Sequence, residues 1–493
     1  MDRRRGLPIL ILIACLIVFQ FAVLGMLYLP ISQWSDEPIA QRQAGDVVVD
    51  VGLRDKYHLA SIPDDDARSC ESGVGVTALE RWDRLAKTFI ANSGNDEAPR
   101  LTCRVTRLPH QPIATQPHTI CNATRIVLDR SFMTPADCPK HRPGYMCDPL
   151  PTFEHYSTGA LSFPNAIRLP AFTIDQFPAD HLRDMFDSVG VADRHDGAGE
   201  HVIDGFVLVV TRERGEHLNL FHSATDWFNA FMAMVVLDLP PSTTSVLIMD
   251  SHPQSPLDIV WDAAFSRSRR TMRIRQSPDR MLIQNAVFVP PGYSSFFYRH
   301  NTDPDDDCQV GTGGVALYDA FSRHILSGFG VTRRQARTSS VRVLMVVRKP
   351  YLPSHPRMGR QIDNEAALVS ALDSIPGIVV DVVDFAGLDF EEQLRRVSAS
   401  DVMIGMHGAG LTHALWLPVG GALLEIRPKP SMGWYCFRHM AKYAGLHYDA
   451  LVNRHFPAGY REDAHGDYTT VDVAELTSIV ESLLSRVRSS PAR

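Results

Sequence analysis

Four polar residues, Asn219, His222, Asp226 and Asn229, recur at intervals of 3, 4 and 3 in the run NLFHSATDWFNAFMAMVV. In a helix that spacing lines them along one face. Leu220, Phe221, Ala224, Trp227, Phe228, Phe231 and Val235 cover the rest, so the helix is expected to be buried with its polar stripe turned to a cavity or to fixed partners. His222 and Asp226, four apart, can aim at one proton. Asp226 is read as the base and His222 as the residue that orients or shares the proton, with the reverse assignment left open. Asn219 and Asn229 are placed on the same acceptor side. A hydrogen-bonded core network would use the same four residues.

A second signal is DVMIGMHGAGLTHALWLP, Asp401 to Pro418, in which three glycines and two histidines interrupt apolar sequence. Gly405 to Thr412 misses the P-loop pattern because Leu411 stands where the phosphate-binding lysine belongs. Gly408 and Gly410 begin a dinucleotide fingerprint whose third glycine is replaced by His413. What survives is a strand end, a glycine turn and a helix start, whose free N–H groups favour an anion. His407, Gly408, Ala409, Gly410 and His413 are therefore candidate diphosphate ligands, unless the two histidines are satisfied locally in a tight turn. The pair lacks the nearby third ligand of a zinc site. Arg348 ends the earlier run VRVLMVV and Arg360 precedes the next helix, so both cations would face the same crevice. Glu425, at the end of GALLEI, is placed to accept from ribose hydroxyls.

The elements needed to carry these residues follow from periodicity. From His201 onward, GFVLVV, TSVLIMD and NAVFVP read as strands, while the stripe-bearing run, SPLDIVWDAAFS and GVALYDAFSRHILSGFGV read as helices. After a weakly apolar linker, strands VRVLMVV, GIVVDVVDF, DVMIGM and GALLEI alternate with helices, and a last amphipathic helix carries Leu476, Ile479, Val480, Leu483 and Val487, with TTVD as a capping box. The fold class is α/β, drawn as two Rossmann-like domains facing a cleft. The expected divisions are a cytosolic tail (1–6), a membrane anchor (7–29), a stem (30–66), an acceptor-side domain with an irregular, disulfide-stapled Cys-rich beginning (67–331), a linker (332–340), a nucleotide-binding domain (341–455) and a C-terminal helix and tail (456–493).

The anchor is uncharged over the 23 residues from Leu7 to Leu29, enough to cross about 30 Å of hydrocarbon. Arg3 to Arg5 before it and Asp36 and Glu37 after it place the remainder on the lumenal side; a cleaved signal peptide would need a shorter apolar run and small residues at its end. Eight cysteines without a CxxC pair fit lumenal disulfides, although the seven outside the anchor cannot all pair within one chain. CNAT offers Asn122 as a glycosylation acceptor. The net charge of −7 gives no reason to expect nucleic acid. The acidic runs Asp64 to Asp66 and Asp303 to Asp307, and the arginines between Arg267 and Arg275, read as solvated surface, and no metal or bound cofactor is expected.

NLFHSATDW, RKPYLPSHPRMGRQIDNEAAL and GMHGAGLTHALWLPVGGALLEI together resemble glycosyltransferase family 61, and GFVLVVTRERGEHLNLFHSATDWFNAF looks most like its plant-type N-glycan β-1,2-xylosyltransferases. The resemblance runs from about Asp204 to Val452. It implies a Golgi type II membrane enzyme of the two-domain arrangement called GT-B, with the endoplasmic reticulum as second choice. It also implies inverting, metal-free transfer from a UDP-sugar, here UDP-xylose, to the β-mannose of an N-glycan core. By matching position, Arg348 and Arg360 become donor-side arginines, His407, Gly408, Ala409, Gly410 and His413 the diphosphate turn, and His222 with Asp226 the acceptor-side pair. Another transferase of the family, adding N-acetylglucosamine, and a non-catalytic glycan-binding protein are the alternatives.

Overall fold

Strand–helix alternation after His201 yields two sheets that share one core. The computed structural model describes residues 51–60, 69–84, 86–90, 99–106, 118–136, 153–164, 185–192, 201–212, 218–266, 271–292, 295–298, 308–334, 340–349, 360–428, 433–453 and 469–490. All lie within the compact unit Asp50–Arg493. Helices α1 (Leu53–Tyr57), α2 (Cys70–Val74) and α3 (Val76–Arg84) come first. Strands β1 (Ala86–Ile90), β2 (Arg100–Thr106), β3 (His118–Asp129), β4 (Met133–Ala136), β5 (Phe153–Tyr156), β6 (Leu161–Pro164) and β7 (Val189–Ala192) follow. Next come β8 (His201–Val210), α4 (Leu220–Val236), β9 (Thr244–Ile248), β10 (Met272–Arg273), β11 (Arg280–Phe288) and α5 (Ala316–Gly328). The last series is β12 (Val341–Val346), α6 (Glu365–Asp373), β13 (Ile378–Val383), α7 (Phe390–Ser398), β14 (Val402–Met406), a 3-10 helix (Ala409–Trp416), β15 (Ala422–Arg427), α8 (Cys436–Tyr443), β16 (His447–Val452) and α9 (Val473–Ser489).

The first sheet runs β1-β2-β3-β11-β8-β9-β10, with β6 beside β3 and β7 beside β6. β11, β8, β9 and β10 are parallel, whereas β3 is antiparallel to both β11 and β2. The second sheet runs β13-β12-β14-β15-β16 and is wholly parallel. Near-continuous apolar strands such as VMIGM suit a sheet covered on both faces. One core joins the inner faces of the two sheets: Leu208, Val246 and Val287 from the first and Leu344, Met403 and Leu423 from the second, with α4, α5, α7, α8 and the 3-10 helix packed between. α6 and α9 cover the outer face of the second sheet through Leu368, Leu372, Leu476, Val480, Leu483 and Val487. This is a mixed α/β fold.

Several expectations change. The segment read as stem contains α1, where Leu53 and Tyr57 are buried in the shared core and Arg54 donates to the Val235 carbonyl at 3.0 Å. An apolar pair four apart in a polar run was enough to dock it. The Cys-rich region read as irregular supplies β1 to β7, of which β3 pairs with β11, far away in sequence, and so joins the main sheet. Its disulfides are Cys103–Cys121, a directly opposed pair on β2 and β3, and Cys70–Cys308, which ties α2 to the approach to α5. Cys436 is free and buried, while Cys138 and Cys147 lie outside the described residues. SPLDIVWDAAFS breaks into a 3-10 turn and a π-helical turn. The cap of α9 is Asp472, whose side chain accepts from the Glu475 amide, so the signal is Asp-x-x-Glu rather than TTVD. Arg273 is no surface cation, since it pairs with Asp258. The anchor, the tail before it and both acidic runs lie outside the described residues; among those described, no helix is long and apolar enough to cross a membrane.

Candidate active site

In chain order the second sheet reads 2-1-3-4-5, so the winding direction reverses between β12 and β14. A crevice opens at such a reversal, beyond the carboxyl ends of the strands, where helices leave on opposite faces. Arg348 follows β12 and His407–Gly408 follow β14, which brings both sequence signals to this point. Arg360 arrives from the other side, in a left-handed conformation (φ 65°) costly for a side chain-bearing residue. Its Nη1 donates to the His407 carbonyl at 2.9 Å. A Cβ on Gly408 would meet Arg360 Nη1 at 3.3 Å and Arg348 Nη1 at 3.7 Å. The two guanidinium groups thus converge over a bare backbone. Glycine is needed for that approach and not for a left-handed turn, because Gly408 is near-extended (φ 160°, ψ 172°). Gly405 serves packing: its missing side chain lets Leu411 Cδ2 come within 3.0 Å of the Cβ position.

The helix after the turn is 3-10 and begins at Ala409. Its first bond is Leu411 N–H to the Gly408 carbonyl at 2.9 Å, so the Ala409 and Gly410 amides precede it. Two expected ligands are redirected. His413 is buried, stacked on Phe385 at 4.0 Å, with Nδ1 2.9 Å from the Gly410 carbonyl and Nε2 2.9 Å from Gln393 Oε1. Burial pulls its pKa down to about 4, so the ring is neutral and holds the segment in place. Glu425 is wholly buried; it bonds His407 Nδ1 through Oε1 and accepts from the Tyr448 hydroxyl at 2.6 Å through Oε2. A carboxylate so enclosed orients His407 and is not exposed to a ribose. Burial, reinforced by Glu425, pushes the Tyr448 hydroxyl far above the usual phenol range.

The stripe on α4 resolves into two functions. Asn219 is the N-cap, accepting from the Phe221 amide at 3.0 Å. Asn229, fully buried, donates to the Pro290 and Pro291 carbonyls at 3.0 and 2.7 Å. Asp226, 4% exposed, accepts from the Gly292 amide at 2.8 Å. Asn229 and Asp226 therefore grip the segment leaving β11, and both asparagines placed on the acceptor side hold backbone instead. His222 is half-buried, with Nδ1 2.7 Å from the Tyr298 hydroxyl. Its neighbour Phe221 packs on Phe437 with ring centroids 5.9 Å apart, and Phe437 packs on His407 at 5.1 Å. Two aromatic rings therefore connect the His222 end of α4 to the glycine turn.

Sequence reading missed Tyr298, Phe437 and Tyr448, none of which stands in a spaced pattern. It also missed a buried ion cluster. Arg212, after β8, pairs with Asp250, after β9, at 2.6 Å and with Asp258 at 3.0 Å, and Asp258 also takes Arg273. Burial would raise the Asp250 carboxyl, but Arg212 and His252 hold it well below the usual carboxylate range. Acidic residues just past strands, DS in LIMDS and LD in SPLDI, were the available hint. Among the described residues no group of three or more His, Cys, Asp or Glu is arranged to hold a metal ion.

The family model described as Glycosyltransferase 61 matches residues 212–424, which include both arginines, the glycine turn and the His222–Asp226 pair. This stretch is a glycosyltransferase family 61 domain. A β-1,2-xylosyltransferase of Arabidopsis thaliana is 26% identical over 343 residues, 61% of this chain and 60% of that protein. One from Oryza sativa subsp. japonica is 29% identical over 242 residues, 44% of either chain. The EGF domain-specific O-linked N-acetylglucosamine transferase of Gallus gallus is 28% identical over 270 residues, 53% of this chain and 47% of that protein. The matched stretch thus spans between 44% and 60% of the length of these curated relatives.

Proposed function

We propose that this chain is an inverting, UDP-sugar-dependent glycosyltransferase of GT-B architecture that transfers xylose from UDP-xylose to the core β-mannose of N-glycans. The observation that carries the reading is the meeting of two parts. Arg348 and Arg360 converge over Gly408, with the Ala409 and Gly410 amides next in the chain, and His222 stands across Phe221 and Phe437 from them. Diphosphate oxygens suit that cationic, amide-lined turn, and the two arginines offset charge as UDP departs. The acceptor hydroxyl oxygen attacks the anomeric carbon on the face opposite UDP. The carbon–oxygen bond to UDP breaks with its electron pair leaving on the diphosphate, and the hydroxyl proton passes to a base on α4.

Of the two candidates on α4, His222 is the more exposed, which favours it as the group that meets the hydroxyl, while Asp226 holds the turn at Gly292. The Tyr298 hydroxyl, 2.7 Å from Nδ1, fixes the orientation of the His222 ring. His407, fixed by Glu425, is left to approach the diphosphate through Nε2. The charge of UDP is met here by arginines, so activity should persist in excess EDTA.

The xylosyl specificity rests on the two plant relatives. Transfer of N-acetylglucosamine to a protein hydroxyl is the second reading, supported by relatives of that activity at 28–30% identity. A Golgi membrane location follows the apolar run 7–29, the two disulfides and the Asn122 sequon, where Asn122 sits half-buried on β3 with Oδ1 accepting from Arg104. The deciding experiment incubates the full chain with UDP-xylose or UDP-N-acetylglucosamine, and with a trimmed N-glycan or a folded EGF domain. UDP release with xylose on the N-glycan is expected. His222→Gln should lower kcat about 10²–10⁴-fold with UDP affinity kept. Binding of glycan without UDP release from any donor would leave only a glycan-binding protein.

A further inference from the structure

A second charged cavity lies away from the glycine turn, where α5 gives way to the segment leading into β12. It has a volume of about 570 Å³ and is lined by Asp319, Arg323 and Ser327 of α5, by Arg333 and Arg334 after it, and by Val419 before β15. From this cavity we infer a binding site for a phosphate group, separate from the candidate active site and independent of the proposed transferase activity.

Three guanidinium groups share the wall with one carboxylate. Asp319 is already divided between two of them, accepting from Arg323 Nε at 2.8 Å and from Arg333 Nη1 at 2.5 Å. Arg334 leans on Asp401, which is buried behind the wall, at 3.5 Å. Arg333 is the most enclosed: its side chain is 15% exposed, Nη2 donates to the Leu415 carbonyl at 3.3 Å, and Nε is shut off from solvent without an acceptor. A buried N–H left unmet is costly, and burial, only partly answered by Asp319, lowers the pKa of Arg333. A dianionic oxyanion in the cavity would supply the missing charge. Guanidinium forks suit phosphate oxygens in particular, and the volume falls within the range of small-ligand sites.

The ligand's source is an inorganic phosphate or the phosphate of a phosphorylated sugar. Calorimetric titration of the full chain with inorganic phosphate, inorganic pyrophosphate and glucose 1-phosphate distinguishes them. Two binding events per chain are expected for pyrophosphate. Ser327→Glu places a carboxylate on an exposed part of the wall, and Arg323→Gln removes an exposed cation; each should weaken one event at least tenfold and leave UDP affinity unchanged. Arg360→Ala should weaken only the other. A single event, lost in Arg360→Ala and untouched by Ser327→Glu, overturns the inference. Loss with Ser327→Glu but not with Arg360→Ala would support this cavity while removing the diphosphate assignment at Gly408.

Discussion

Gly408→Ala isolates the role of the bare backbone beneath the two arginines. The added methyl would lie 3.3 Å from Arg360 Nη1, tighter than carbon ordinarily tolerates, and 3.7 Å from Arg348 Nη1. The clash is with the far ends of flexible side chains, and the near-extended backbone of Gly408 can carry an alanine. The guanidinium of Arg360 must then shift by a few tenths of an ångström, loosening its 2.9 Å bond to the His407 carbonyl and its aim at the crevice. A hydrogen bond to a charged group contributes about 1.5–3 kcal/mol, so losing one such contact to a diphosphate lowers affinity by about 10- to 100-fold. Global stability should stay within about 1 kcal/mol of the parent. Calorimetric titration with UDP, paired with urea unfolding, reads the two effects separately. Unchanged UDP affinity with unchanged stability would refute the claim that the arginines act on a diphosphate over Gly408. A large stability loss would refute the claim that the glycine is there for ligand approach.

Four further outcomes are expected. His413 has a pKa of about 4 against an ordinary 6.5, so its contribution is complete above pH 6.5 and is lost as pH falls towards 4. At about 1.4 kcal/mol per pH unit this amounts to roughly 3 kcal/mol, and the unfolding free energy of His413→Asn should be flatter over that window than the parent's. Asp250→Asn leaves the buried Arg212 guanidinium only Asp258, which it shares with Arg273, and should cost about 3–5 kcal/mol in urea unfolding. Asp381→Asn, which breaks the half-exposed pair with Arg396 at 3.1 Å, should cost at most about 1 kcal/mol. Tyr298→Phe removes the partner of His222 Nδ1 and should lower kcat about tenfold with UDP affinity intact; an equal loss in UDP affinity would show a structural role only.

Patterns that are local along the chain could be read directly. The apolar strands and their helices follow from periodicity, because each element buries its own face, and Asp401 to Pro418 announces a turn because three glycines have no other use there. The polar stripe on α4 announced a special face for the same reason. Its meaning was not local: Asn219 spends its side chain on its own helix end, while Asp226 and Asn229 bind backbone at 290–292, more than sixty residues away. The strands of residues 86–164 were likewise invisible, since β3 is a strand by virtue of its partners β2 and β11.

From residue order alone came most of the element types after His201, the glycine turn and the placing of Arg348 just past a strand, whereas Glu425 lies within β15 and not at its end. Tertiary structure decided which charges remain available. Glu425 and His413, promising on paper, are sealed in by Tyr448, Gln393 and Phe385, whereas Arg348 stays exposed and Arg360 reaches the same glycine. The physical reason is that spacing along a strand or helix reports direction, but burial and hydrogen-bond partners are set by elements distant in the chain.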